Sequence, residues 1–188
     1  MQSVFIGGIP ASGKSFLAKK ISDKTGLLHL SADSFREEMA KDPKLEKWVN
    51  FYWNLDEKEY YATTSCKEQW SNLVKQSEAF WSTILKKVMV LTQNKQILLE
   101  GVNIMPHLAS RDLQMNGVFL LGESEEIILE RIKKAPRWGN TVELMSIEAK
   151  NFYQCERIGY MQEAKKYGFK TFSDPNDAED VLLNLIKS

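Results

Sequence analysis

The run Gly8-Ile9-Pro10-Ala11-Ser12-Gly13-Lys14-Ser15 combines spaced glycines with a terminal lysine and serine. Glycines let a backbone curl until successive N–H groups point inward, the lysine adds a mobile cation, and a serine hydroxyl is a hard oxygen suited to Mg²⁺. Such a loop cradles a triphosphate, and Gly8, Ala11, Ser12, Gly13, Lys14, Ser15 and Phe16 are the residues expected to form the cradle. The competing reading is a glycine-rich turn that only caps a helix. The flanks argue for the cradle: Val4-Phe5-Ile6 is a short apolar, β-favouring run, and Phe16 to Ile21 has helical spacing. In a strand, loop, helix context the helix N-terminus adds about half a positive charge where the phosphates would sit.

Further residues are placed to act beside that loop. Ser31-Ala32-Asp33-Ser34-Phe35-Arg36 follows the apolar run Leu27 to Leu30. Asp33 and Arg36 therefore stand beyond the carboxyl end of a strand, where open α/β sheets hold ligands. Capping a helix by Asp33, with Arg36 one turn on, is the ordinary use of such residues, and the position adds a functional one. Glu100-Gly101 ends a second apolar run from Gln96, so its carboxylate is expected to face the loop. Lys133-Lys134-Ala135-Pro136-Arg137-Trp138-Gly139-Asn140 is cationic, with Pro and Gly at its turn. A solvated charged turn competes here with a lid, since a phosphate-transfer site needs cations that close over the nucleotide and exclude water.

The elements that position these residues can be read in order. The first helix is expected to end near Lys24, with Gly26 as a left-handed cap and Leu27 to Leu30 as a buried strand in which His29 is a core histidine. Pro43 to Lys95 is helical and aromatic without a strand signal, which predicts a helical insertion over about 43–95. Within it Asp56 and Glu59 fit a helix start. Trp70, Leu73, Val74, Ser77, Phe80, Trp81, Ile84, Val88 and Leu91 trace one buried stripe. Trp48, Tyr52 and Trp53 fall outside the stripe and are candidates to face a substrate. Further strands are expected at 96–101, 117–121 and 169–172. Pro106 opens a short turn with His107 exposed just inside it, and Ser124 starts a helix that carries Arg131. Helical pattern resumes from Val142 to Tyr167 and again from Val181 to Ile186, after the loop Ser173 to Asp177. Strands alternating with helices predict a three-layer α/β domain with a mostly parallel sheet over 1–188.

Composition narrows the class. The 188 residues carry 25 basic and 25 acidic side chains, so no global field draws the protein to nucleic acid or an anionic membrane. Cys66 and Cys155 are the two cysteines; they lie far apart in sequence without metal-ligand spacing, which predicts free thiols in a reducing compartment. The N-terminus runs straight into the first strand, and no apolar run approaches about 18 residues, so a cytoplasmic protein without a membrane span is expected.

The chain resembles the P-loop kinase-like phosphotransferases along essentially its whole length, in particular 2-phosphoglycerate kinases, zeta toxins and polynucleotide 5′-hydroxyl kinases. The resemblance implies an α/β/α P-loop NTPase fold with a five-stranded parallel sheet of order 2-3-1-4-5, and a lid over about 131–141. Ser31 to Arg36 looks like the acidic-x-x-Arg element of those families. Asp33 would then be the base for the acceptor hydroxyl, and Arg36 would grip a substrate phosphate or other anion. Ile97 to Pro106 looks like the corresponding strand and loop of 2-phosphoglycerate kinases, with Asn103 where that pattern usually has His; Glu100 and Gly101 would line the acceptor side. Transfer of the ATP γ-phosphoryl group to a small hydroxyl compound is the implied reaction. Lys14 and Mg²⁺ would bridge the phosphates, Ser15 would bind the metal directly, and Glu100 or Asp33 would hold it through water. Arg131 and Arg137 resemble lid arginines, and Ser173 to Asn176 falls where related kinases contact adenine. A nucleic-acid 5′-hydroxyl kinase, a sugar-nucleotide kinase and, from another class, a slow nucleotide-dependent switch stand as rival readings.

Overall fold

The computed structural model describes residues 1–187. The five strands are β1 (Val4–Gly8), β2 (Leu28–Ser31), β3 (Ile97–Glu100), β4 (Asn116–Leu120) and β5 (Lys170–Phe172), in one sheet of order β2-β3-β1-β4-β5. Every neighbouring pair is parallel, with Ile6 opposite Glu100 on one side and Val118 on the other. This is the three-layer α/β/α fold of P-loop kinase-like proteins. Central β1 is buried at every position, and β3 is equally enclosed, as expected of parallel strands covered on both faces. Edge strand β2 departs from the expectation of a buried strand: Leu28 is exposed, and His29, Leu30 and Ser31 are half-buried. A strand with a neighbour on one side only cannot be enclosed like the central ones.

One face of the sheet is covered by α1 (Lys14–Thr25) and α10 (Pro175–Lys187), whose Leu17, Ala18, Ile21, Leu182 and Ile186 pack on Val4, Ile6, Leu98, Val118 and Leu120. Helix α1 ends at Gly26, whose left-handed backbone returns its N–H to the Ser22 carbonyl, the cap expected of glycine there. The other face carries the larger cluster, built around Phe5, Leu99, Ile104 and Phe119 and closed by Phe80, Trp81, Ile84 and Tyr160.

The chain between β2 and β3 is helical. A 3₁₀ turn (Ala32–Phe35) leads into α2 (Arg36–Met39), α3 (Glu46–Val49), α4 (Glu57–Thr63) and the long α5 (Cys66–Thr92). Asp56 caps α4 through the Glu59 N–H, and Ser65 with Glu68 forms a reciprocal capping box on α5. Leu73, Ser77, Phe80, Trp81, Ile84 and Val88 form the buried stripe of α5, joined by Gln69 and Gln76. After β3 come α6 (Pro106–Asp112), then β4, α7 (Glu125–Lys134) and α8 (Val142–Asn151). A π-helical turn (Phe152–Glu156) joins α8 to α9 (Arg157–Lys166). His107 is not exposed as expected: its Nδ1 lies 2.8 Å from Glu163 Oε1 in a half-buried pair between α6 and α9.

The free thiols expected from the spacing are replaced by a disulfide. Cys66, the first residue of α5, and Cys155, in the π turn, have Cα atoms 4.8 Å apart and are bonded. Sequence separation conceals this pairing, because only the packing of α5 against the π turn brings the two together. The bridge closes a separation of 89 residues, for which the chain-entropy account gives about 4–5 kcal/mol. Reductant, or the double replacement Cys66→Ser with Cys155→Ser, is expected to lower the thermal midpoint by about 10 °C. A midpoint indifferent to both treatments contradicts the bridge's structural role.

Candidate active site

The phosphate loop is built by three unusual backbone positions. Gly8 has φ 123°, Ala11 φ 53° and Gly13 φ 93°, in the region that favours glycine. A side chain on Gly8 would collide with the Leu120 backbone. Gly13 is the N-cap of α1 and offers no side chain to its first turn, which also holds no acid. That helix end therefore presents backbone N–H groups and the positive end of its dipole to the loop.

Lys14 is buried, and its Nζ donates to the Ile9 carbonyl at 2.6 Å; the Ser12 hydroxyl donates to the same carbonyl at 2.8 Å. Burial pulls the Lys14 ammonium down to about 8, assisted by Arg137 and opposed by the nearby carboxylates Glu100, Asp33 and Glu156. Ser15 Oγ donates to Glu100 Oε1 at 3.2 Å, and Glu100 is buried under the loop. His29, expected in the core, stands instead beside this pair, with Nε2 3.5 Å from Glu100 Oε1. Gly101 follows because β3 passes close to the 3₁₀ turn: a Cβ there would lie 2.7 Å from that of Ala32.

A hydroxyl and a carboxylate meeting beside a phosphate cradle fit Mg²⁺, which takes hard oxygens and keeps several waters. Among the described residues no group of three or more His, Cys, Asp and Glu could hold a metal. The fit is therefore to a cation shared between protein and phosphate, not to an all-protein cage.

Arg131 of α7 is fixed at the loop. Its guanidinium pairs with both oxygens of Glu123 at 2.6 and 2.7 Å and donates to the Ala11 carbonyl at 3.3 Å. Pro175, the first residue of α10, closes on the loop beside it: a Cβ on Gly13 would come within 2.6 Å of Pro175 and 3.5 Å of the Arg131 guanidinium. Phe16 points outward and is 67% exposed, so its place in the cradle is through its backbone.

Beside the loop opens a cavity of about 300 Å³ whose lining includes Pro10, Asp33, Arg36, Asn103 and Arg137. Asp33 sits at its mouth, reached by solvent yet ringed by protein. That crowding pushes its carboxyl up, against the pull of Lys14 and Arg137. Arg36 lies over the Trp53 ring, 5.7 Å from its centroid, and donates to the Val49 carbonyl. Arg137, exposed on the turn between α7 and α8, faces the same space; its charge bears on Lys14, Asp33 and Glu156. The aromatic wall is Tyr52, Trp53, Tyr61, Phe80, Trp138 and Phe152.

Residues named from the sequence thus gather at the carboxyl edge of β1, β2 and β3. Lys14, Ser15, Glu100, Gly101 and Arg131 surround the loop, while Asp33, Arg36 and Arg137 share the cavity. Tyr52 and Trp53 line it, whereas Trp48 packs against the core cluster and Phe51. Sequence reading missed Glu148, Glu156, Tyr61, Trp138 and Gln76. A signal existed for the two acids, since Met145, Glu148, Ala149, Phe152 and Glu156 recur at helical spacing and place carboxyls in an apolar stripe.

Comparison with known proteins agrees with this architecture. Residues 7–147 match the family described as AAA domain, so the chain belongs to that P-loop family. Among solved structures it is similar to a shikimate kinase from Acinetobacter baumannii in complex with shikimate, at 14% identity and TM-score 0.56, covering 100% of this chain and 93% of the other. It is also similar to a deoxyadenosine kinase from M. mycoides with bound dATP, at 16% identity and TM-score 0.53, covering 100% of each chain. A shikimate kinase from Bacteroides thetaiotaomicron matches at 14% identity and TM-score 0.57, over 100% of this chain and 99% of the other. These likenesses are of fold. No curated protein matches the sequence.

The Lys14 environment gives a pH-dependent outcome. Its free-state pKa is about 8, and a polyphosphate on the loop favours the ammonium and raises that value. ADP binding should take up a proton above about pH 8, and affinity should fall as pH rises past that point. Calorimetry in buffers of different ionisation enthalpy reads this uptake, and proton-neutral binding at pH 8.5 contradicts it.

Proposed function

We propose that the protein is an ATP-dependent kinase that transfers the γ-phosphoryl group to a hydroxyl of a small metabolite. The observation that carries the reading is the placement of Asp33 in a cavity opening directly beside Lys14 and the phosphate loop. A nucleotide switch needs a positioned water at that point; a walled cavity with a carboxylate at its mouth suits an acceptor hydroxyl.

ATP would lie with its β- and γ-phosphates in the loop from Gly8 to Ser15. Lys14 would leave the Ile9 carbonyl to bridge them, and the adenine would rest at the edge formed by Ser173 to Asn176. Ser15 would hold Mg²⁺ directly and Glu100 or Asp33 would hold it through water, and the ion would neutralise charge on the phosphate oxygens. The acceptor hydroxyl, aligned by the cavity walls, attacks the γ-phosphorus. Its oxygen forms the new O–P bond, the bond from the γ-phosphorus to the β,γ-bridging oxygen breaks, and the hydroxyl proton passes to Asp33. The products are ADP and a phosphate monoester. Arg131, held by Glu123 against the loop, and Arg137, on the turn above, stabilise the charge spread over the transferring group. Arg36 lines the same cavity, over Trp53, and is suited to orient the acceptor. A small-molecule acceptor and the cytoplasmic ATP pool belong to this reading. The cysteine argument for that compartment falls with the disulfide.

Asp33→Ala is expected to lower turnover by about 10²- to 10⁴-fold while ADP affinity, read by calorimetry, stays within about two-fold. Lys14→Ala should weaken both. Undiminished phosphoryl transfer by Asp33→Ala removes the base role, and a fully active Lys14→Ala protein removes the kinase reading.

A further inference from the structure

The inner end of the cavity has a character that the reaction does not use. Glu148 and Glu156 line it; Glu148 is fully buried and Glu156 is 8% exposed. Oε2 of each carboxyl lacks a hydrogen-bond partner. The other oxygen of Glu148 accepts the Trp138 N–H at 3.1 Å, which ties this acid to the aromatic wall. Tyr52 and Tyr61 have ring centroids 5.4 and 5.7 Å from Trp138, with interplanar angles of 62° and 55°. The three rings pack on one another at these angles, and all of them line the cavity together with the two acids; aromatic rings and buried carboxylates bordering one space form a setting for a cation, since ring faces carry negative quadrupole potential and the carboxylates supply full charge.

From this juxtaposition we propose that the acceptor is a hydroxyl compound bearing an alkylammonium group, seated among Tyr52, Tyr61 and Trp138 against Glu148 and Glu156. The proposal rests on the kinase reading and names its substrate class as amino alcohols. Arg36 and Arg137 do not fill the role: Arg36 is engaged by Val49 and Trp53, and Arg137, on the exposed turn, acts on the two acids by charge alone. Without a ligand, burial pushes the Glu156 carboxyl up to about 8, although Lys14 and Arg137 pull it down. Glu148 is raised by burial as well. An ammonium placed between them pulls both down, toward the ionised form. Glu156 closes the π turn that joins α8 to α9, a distortion that recurs at ligand sites.

The test is calorimetric titration of the Mg-ADP complex with ethanolamine, choline and 1-amino-2-propanol, each beside a neutral isostere, such as 3,3-dimethylbutan-1-ol for choline. At least one amino alcohol should bind ten-fold or more tightly than its isostere. Glu156→Gln, close in shape to the protonated acid, should abolish that preference while the isostere still binds. Glu148→Gln, on a separate helix, should do the same should Glu156→Gln fail to fold. No amino alcohol preferred over its isostere, or a preference that survives both replacements, overturns the proposal. Phosphorylation of neutral or anionic metabolites alone overturns it while leaving the kinase reading standing. Selective amine binding without phosphoryl transfer to any compound contradicts the kinase reading instead.

Discussion

The site depends on how closely β1 and β4 approach at Gly8. The strand must turn there with a positive φ against the Leu120 backbone, and the Ile9 N–H then bonds the Leu120 carbonyl at 3.1 Å. Any side chain at Gly8 would push the loop off the sheet. With the approach intact, the loop falls at the carboxyl edge of the central strand, directly above Glu100 on β3, with the N-terminus of α1 behind it. The strand order places β2 beyond β3, so the 3₁₀ turn that carries Asp33 opens onto the same edge. Lys14, Glu100 and Asp33 come together there because the topology leaves them one crevice.

Charge is sorted along that crevice. The loop end holds Lys14, Arg131 and the positive end of α1; the inner end of the cavity holds Glu148 and Glu156 among aromatic rings. Burial pulls the Lys14 ammonium down and pushes both carboxyls up, so at each end it disfavours the charged form. Asp33 sits at the mouth of the cavity, its carboxyl raised by crowding against the pull of Lys14 and Arg137.

The parts of this arrangement fixed by local chemistry were legible in the sequence. The cradle needs glycines at set positions, the apolar runs mark central strands, and Asp33, Arg36 and Glu100 sit at strand ends whose direction follows from a parallel sheet. What depends on the packing of distant helices was not. The Cys66 to Cys155 bridge exists only because α5 lies against the π turn, whereas the acids of α8 and that turn left a trace in their helical spacing. The apolar neighbours of His29 mark it as a core residue, yet an edge strand leaves its ring beside Glu100. His107 reads as an exposed cap residue, and only the docking of α9 on α6 supplies Glu163. Trp138 read as part of a charged flap, and its ring instead closes the cavity against Tyr52, Tyr60 and Tyr61.

The most direct measurement follows the fate of the γ-phosphoryl group. Protein, Mg-ATP labelled at the γ-position and a metabolite extract are incubated together, and labelled products are resolved by mass spectrometry. The account predicts that the label appears in an organic phosphate monoester, formed in step with ADP. Label recovered only as inorganic phosphate, at a rate indifferent to the extract, would contradict it.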